Sequence, residues 1–89
     1  SMRTKHIAEI RLAVKQGFLH KGIGSALLAQ AEAWAKKQKV EQLECFITTN
    51  NEAAIALFES ASFEQNGTRK NALKFNDYYL DELYYSKQF

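Results

Sequence analysis

Apolar and polar residues alternate along residues 6–14, placing Ala8, Ile10, Leu12 and Val14 on one face with the two-residue period of a half-buried strand. Residues 15–21 break that pattern and read as a connection. From about Gly22 to Gln38 the period lengthens. Ile23, Leu27, Ala31 and Trp34 recur at helical spacing and predict a buried stripe. Lys36, Lys37 and Lys39 crowd the end of that helix, where cations complement its dipole. Val40 to Thr48 alternates again, with Leu43, Cys45 and Ile47 on one face and Glu44 on the other. Thr49 and Glu52 have capping-box spacing, with Asn50 and Asn51 as alternative caps, for a helix that runs to about Ala61 and buries Ala54, Leu57, Phe58 and Ala61. Phe63 opens a strand-rich tail, in which Thr68–Phe75 and Tyr78–Lys87 flank the turn residues Asn76-Asp77 as a hairpin.

The predicted order is β-α-β-α-β-β, an α/β domain (α+β in its mixed sheet) covering residues 3–89 as a single unit. The first β-α-β unit should be a right-handed parallel crossover. Ligands in such sheets sit beyond the carboxyl ends of the strands, at the helix N-termini. The segment Leu19-His20-Lys21-Gly22-Ile23-Gly24-Ser25 falls there, with two glycines at the mouth of the first helix. Glycines at a helix start let an anion reach free backbone N–H groups, so a phosphate-bearing ligand is the first expectation.

Composition narrows the alternatives. A net charge of +2 with scattered basic residues argues against nucleic acid, including a reading built on Lys36, Lys37, Lys39, Arg69, Lys70 and Lys74. The single cysteine, Cys45, excludes an internal disulfide and fits a reducing, cytoplasmic setting. No apolar run is long enough to span a bilayer and no signal peptide is visible, so no membrane association is expected. Ser1 ahead of Met2 reads as a processing scar, which makes a naturally short chain the expectation. His6 and His20 lack ligand spacing, and no metal site is expected.

Three segments together resemble the C-terminal part of the GNAT superfamily of N-acetyltransferases. The family's cofactor signature is Arg or Gln, two residues, Gly, one residue, then Gly or Ala; Leu19 to Gly24 covers it, followed by Ser25-Ala26-Leu27-Leu28. A second segment with Asn, Ala-Ile, Leu-Tyr and Gly-Phe is matched by Asn51 to Phe63. A closing aromatic-acidic segment is matched by Tyr79-Leu80-Asp81-Glu82. The resemblance implies a GNAT-like fold truncated at its N-terminus, since family members have further strands and two helices ahead of residues 6–14. The first strand would then have an unpaired edge, and a homodimer or a partner chain is expected to cover it.

The resemblance also implies the chemistry: an enzyme that moves an acetyl group from acetyl-CoA to a primary amine by direct attack, without a metal. The backbone of Leu12, Ala13 and Val14 would pair with the pantetheine arm and polarise the thioester. Leu19, His20, Lys21, Gly22, Ile23, Gly24 and Ser25 would hold the diphosphate, and Asn51 and Phe58 would lie along the arm. Three positions depart from the pattern: Leu19 replaces Arg or Gln, Phe58 replaces a Tyr that often serves as general acid, and Ser62 replaces the Gly before Phe63. An alternative is therefore a catalytically impaired CoA-binding half-domain that acts by assembling with itself or a partner.

Candidate acid-base groups each carry a plainer reading. Glu9 is the candidate base, directly or through water, or else a solvated strand carboxylate; Glu44 is open to the same two readings. Tyr84, among Tyr78, Tyr79, Tyr84 and Tyr85, is the candidate to replace the phenol missing at Phe58, against cross-strand packing as the plain account. Cys45 reads as a buried thiol rather than a nucleophile.

Overall fold

The structure, a computed structural model, describes residues 7–10 and 23–89. The elements follow the predicted order: β1 (Ile7–Glu9), α1 (Ile23–Lys37), β2 (Gln42–Thr48), α2 (Glu52–Ser60), β3 (Glu64–Phe75) and β4 (Tyr78–Gln88). The strands form one mixed sheet in the order β1-β2-β4-β3. β1 runs parallel to β2, and β4 is antiparallel to both of its neighbours.

Alternation in β2 sends Leu43, Cys45 and Ile47 to the helix-covered face, where they are buried with Tyr85 from β4. Leu28 and Ala35 of α1 and Phe58 of α2 close over them, with Val40 and Phe63 at the ends of the layer. Ala8 and Ile10 pack on the same core from β1. Lys87 fastens this face. Its Nζ donates to Glu32 Oε1 on α1 at 2.9 Å and to the Ala61 carbonyl behind α2 at 2.8 Å.

The stripe expected on α1 is shifted. Trp34 is 52% exposed and Leu27 40% exposed, whereas Gly24, Leu28 and Ala35 are buried and Ala31 half-buried. The two stripes share Ala31 and lie one residue, about 100°, apart. Seating the helix on Gly24, Ala31 and Ala35 brings its backbone close to the sheet, and an indole on that line would hold it away.

Both helices end on the same hydrogen-bond pattern. Behind α1, Val40 N–H bonds to the Ala35 carbonyl and Lys39 N–H to that of Lys36, with Lys39 at φ 61. Behind α2, Phe63 N–H bonds to the Phe58 carbonyl and Ser62 N–H to that of Glu59, with Ser62 at φ 70. These are Schellman motifs with a non-glycine residue in the left-handed position. At the start of α2 the capping-box expectation gives way to its alternative. Asn51 is the cap, its side chain accepting from Ala54 N–H at 3.1 Å.

The hairpin is longer and less regular than its alternation implies. Arg69 pairs with Glu82 and Leu73 with Leu80, so between these pairs β3 carries three residues, Lys70, Asn71 and Ala72, against one, Asp81, across an irregularity in the ladder. Asn71 sits there at φ 52, and its N–H bonds to Asp81 Oδ1 at 2.9 Å.

Candidate active site

The chain α1-turn-β2 brings the N-terminus of α1 to the carboxyl end of β1 and β2, and α2 begins directly after β2 at the same end. Two helix N-termini therefore face one region. The first turn of α1 carries no acidic residue, so the amides around Ile23, Gly24 and Ser25 present an unopposed partial positive charge. The donors at the start of α2 are partly satisfied by the Asn51 cap.

Between the helix ends lies the carboxyl end of the described β1–β2 pairing. The last described bond between β1 and β2 is Ile10 N–H to the Glu44 carbonyl, 2.8 Å. Backbone groups alternate sides along a strand, so Phe46 and Thr48 turn their amides the same way as Glu44, toward β1. Among the described residues no N–H or carbonyl of β1 meets Phe46. A cleft of about 620 Å³ opens there, with Glu9 and Ile10 on one side, Phe46 and Thr48 on its floor, Asn51 at the α2 cap, and Arg69 and Leu73 arching over from β3.

Of the residues expected to hold a cofactor, Leu12, Ala13, Val14, Leu19, His20, Lys21 and Gly22 lie outside the described residues. Ile23, Gly24 and Ser25 form the first turn of α1. Ser25 also borders a second groove of about 410 Å³ between α1 and α2. Asn51 lines the cleft, but its side-chain oxygen is committed to the cap. Phe58 does not face the cleft; it is a core side chain, edge-on to Phe63 with ring centres 5.0 Å apart. A Phe suits that position because a phenol there would need a buried partner.

The candidate acid-base groups separate. Glu9 lies at the cleft, exposed, beside Glu44 in the β1–β2 register. Tyr84 stands on the sheet face away from the helices. Its hydroxyl donates to Glu44 Oε2 at 2.8 Å and accepts from Gln42 Nε2 at 3.1 Å, and its ring lies 5.3 Å from that of Phe46. The bond to Glu44 is the main reason that its pKa is raised, which makes it a weaker proton donor than a free phenol. Cys45 reaches the cleft wall but is 2% exposed. Burial, and then the charges of Glu44 and Glu9, push its thiol up to about 12, so it is no nucleophile near neutral pH. Among the described residues no group of three His, Cys, Asp or Glu side chains stands close enough to hold a metal ion, and no helix is long and apolar enough to cross a membrane.

Sequence reasoning missed Arg69 and the irregularity beside it. Its only local signal was Asn71, a residue that tolerates the left-handed conformation, inside an otherwise alternating strand.

A four-stranded mixed sheet with two helix N-termini at the carboxyl end of its parallel pair is matched by comparison with known proteins. Residues 2–63 match the Acetyltransferase (GNAT) family, and the chain belongs to that family. It is 27% identical over 86 residues to the L-amino acid N-acetyltransferase AaaT of Escherichia coli, covering 96% of this chain and 53% of that protein. The crystal structure of an N-acetyltransferase from Staphylococcus aureus superposes at a TM-score of 0.90 with 30% identity, over 99% of this chain and 53% of that one. The structure of yncA from Salmonella typhimurium with its cofactor acetyl-CoA shares the fold at a TM-score of 0.72 and 24% identity, over 76% of this chain and 39% of that one. The chain thus spans about half the length of the relatives it matches.

Proposed function

We propose that this chain is the acetyl-CoA-binding half of an N-acetyltransferase that moves an acetyl group to a primary amine by direct attack. The observation that carries this reading is the cleft bounded by Glu9, Ile10, Phe46 and Thr48 beside the N-terminus of α2. An extended arm with amide groups entering there could bond to the backbone of Phe46 on one side and, as the family resemblance implies, to Leu12, Ala13 and Val14 on the other. The diphosphate would lie against the turn from Leu19 to Ser25, at the N-terminus of α1. Asn51 would offer its amide nitrogen to the arm, since its oxygen caps α2.

Transfer needs the amine neutral and close to the thioester carbonyl. Glu9 at the cleft takes the proton that the attacking nitrogen loses, directly or through one water. The nitrogen–carbon bond forms, the carbon–sulfur bond breaks, and the thiolate takes up a proton. Tyr84 was the sequence candidate for that proton. Its commitment to Glu44 favours water from the cleft instead. The outer edge of β1 would be covered by a second copy or by a partner chain. A cytoplasmic setting suits the single free thiol.

A second reading is favoured by one observation: Phe58 is in the core and no tyrosine hydroxyl lines the cleft. In that reading the chain binds CoA and does not turn over unless assembled with a partner. Calorimetric titration with acetyl-CoA and CoA, followed by thiol release across a panel of primary amines, decides between them. Saturable binding with amine-dependent thiol release supports the enzyme, and binding without release supports the half-domain. Absence of heat with both ligands removes the cofactor claim.

A further inference from the structure

Ala72 and Leu73 both line the cleft, although they are neighbours in the chain. Successive side chains of a regular strand point to opposite faces of the sheet, so an unbroken β3 could offer the cleft only one of the two. The irregularity in the ladder makes both available. Lys70, Asn71 and Ala72 have no partner in the β3–β4 register, and Asn71 takes the left-handed conformation at φ 52. Extra residues of this kind bend a strand and re-aim its side chains.

Asp81 is the β4 residue opposite these three, and it bonds in two directions. Its Oδ1 accepts from Asn71 N–H at 2.9 Å, so a side chain supplies the acceptor where β4 has no residue in register. A carboxylate makes this bond stronger than a neutral acceptor would. The backbone carbonyl of Asp81 accepts from Thr49 N–H at 3.1 Å, in the turn that leads from β2 to the Asn51 cap. Thr48 and Asn51, on either side of Thr49, line the cleft as well. One residue therefore ties the β3 wall of the cleft to the β2–α2 turn.

In the sheet order, β3 is the edge farthest from β1. The acetyl-transfer reading puts the donor against β1, Phe46 and the N-terminus of α1. The wall of Arg69, Ala72 and Leu73 then belongs to the acceptor's side of the cleft. Resting on that reading, we propose that Asp81 is a positioning residue. Its carboxylate, acting through Asn71, holds Ala72 and Leu73 in the cleft and so sets how tightly the acceptor amine is held, while the acetyl donor is bound without it.

The test compares Asp81→Ala, Asp81→Asn and the double variant Asp81→Ala with Asn71→Gly in the whole chain. By NMR, Asp81→Ala should speed exchange of the Asn71 amide about tenfold, as expected for loss of a bond to a charged acceptor. It should also shift the methyl signals of Ala72 and Leu73 and leave those of the core residues Leu28 and Leu43 in place. Asp81→Asn keeps an oxygen at the same position and should restore the wild-type methyl signals. Glycine at position 71 adopts the left-handed conformation without strain and should restore part of them. Thiol release with the primary amine that the wild-type chain acetylates fastest gives the functional readout. Asp81→Ala should raise the KM for that amine roughly fivefold and leave kcat and the Kd for acetyl-CoA nearly unchanged, the pattern of lost acceptor binding. Asp81→Asn should restore that KM. Methyl signals that do not move in Asp81→Ala, an Asp81→Asn variant as impaired as Asp81→Ala, an unchanged amine KM, or equal weakening of amine and acetyl-CoA would each overturn the proposal. The expected methyl shifts and their rescue in a chain that gives no heat with acetyl-CoA would keep Asp81 as the residue that shapes the cleft and remove acetyl transfer alone.

Discussion

The Tyr85 hydroxyl donates to Glu59 Oε2 at 2.8 Å, joining β4 to the underside of α2. Tyr85 is 1% exposed, while Glu59 belongs to the exposed flank of its helix. Removing the hydroxyl leaves a carboxylate that water can still reach, so Tyr85→Phe should cost only about 1 kcal/mol. Removing the ring opens a cavity beneath both helices, and Tyr85→Ala should cost about 3–5 kcal/mol. Urea unfolding of the two variants measures the difference. A Phe variant as damaging as the Ala variant would show that the hydrogen bond, and not the packing of the ring, holds α2 to the sheet.

Burial at the same place fixes the response to alkali. Burial first, and then the bond to Glu59, push the Tyr85 phenol up to about 12 from an ordinary 10.0. Burial also raises the Cys45 thiol to about 12 from 9.0. Both are acids held neutral by the fold, so above pH 9 the native chain keeps protons that the unfolded chain releases. Their contribution to stability is complete below about pH 9 and is lost as the pH rises toward 12. Unfolding midpoints should be level from pH 7 to 9 as far as these groups decide, then fall, and Tyr85→Phe should make the fall shallower. A wild-type midpoint unchanged at pH 11 would contradict the burial of both groups.

The register of α1 makes a separate prediction. Leu28 is 2% exposed on the sheet-facing line, while Trp34 projects into solvent. Leu28→Ala should cost about 2–5 kcal/mol. Trp34→Ala should stay within about 0.5 kcal/mol, as for other surface substitutions. The single indole also gives an optical readout, because its emission should change little on unfolding if it is already wet. A large blue shift in the folded state would return Trp34 to the core.

How far the residues announced this arrangement depends on the element. β2 was fully legible because one face meets helices and the other does not, so Leu43, Cys45 and Ile47 alternate cleanly with Gln42, Glu44 and Phe46. The stripe of α1 was not, because alanine is ambiguous. Ala31 fits two lines, and the eye follows the larger Leu27 and Trp34, whereas the sheet selects the smaller Gly24 and Ala35. Glu9 was placed on the first strand, and the structure sets it level with Glu44 at the cleft. Arg69 was not placed at the cleft, since it reaches Phe46 on β2 across β4, and a mismatch of three residues against one in a hairpin leaves no periodic trace. Tyr84, the candidate for the missing phenol, stands against Glu44, which lies 40 residues away and which only the sheet order brings close.

Helix endings offer the last prediction. Ser62 occupies the left-handed position behind α2 at φ 70, and Lys39 the equivalent one behind α1 at φ 61. A side chain there costs roughly 1–2 kcal/mol relative to glycine. Glycine in turn loses roughly 0.5–1 kcal/mol through the freedom it has in the unfolded chain. The first effect is the larger, so Ser62→Gly and Lys39→Gly should each stabilise the fold by up to about 1 kcal/mol. The two sites close different helices and share no hydrogen bond, so the gains should add. Neither side chain lines the cleft, so the proposed binding of acetyl-CoA should be the same in both variants. Thermal and urea midpoints of the single and double variants test this. A loss of stability in either single variant would mean that its backbone does not hold the left-handed conformation on which the Schellman bonds from Phe63 and Val40 depend.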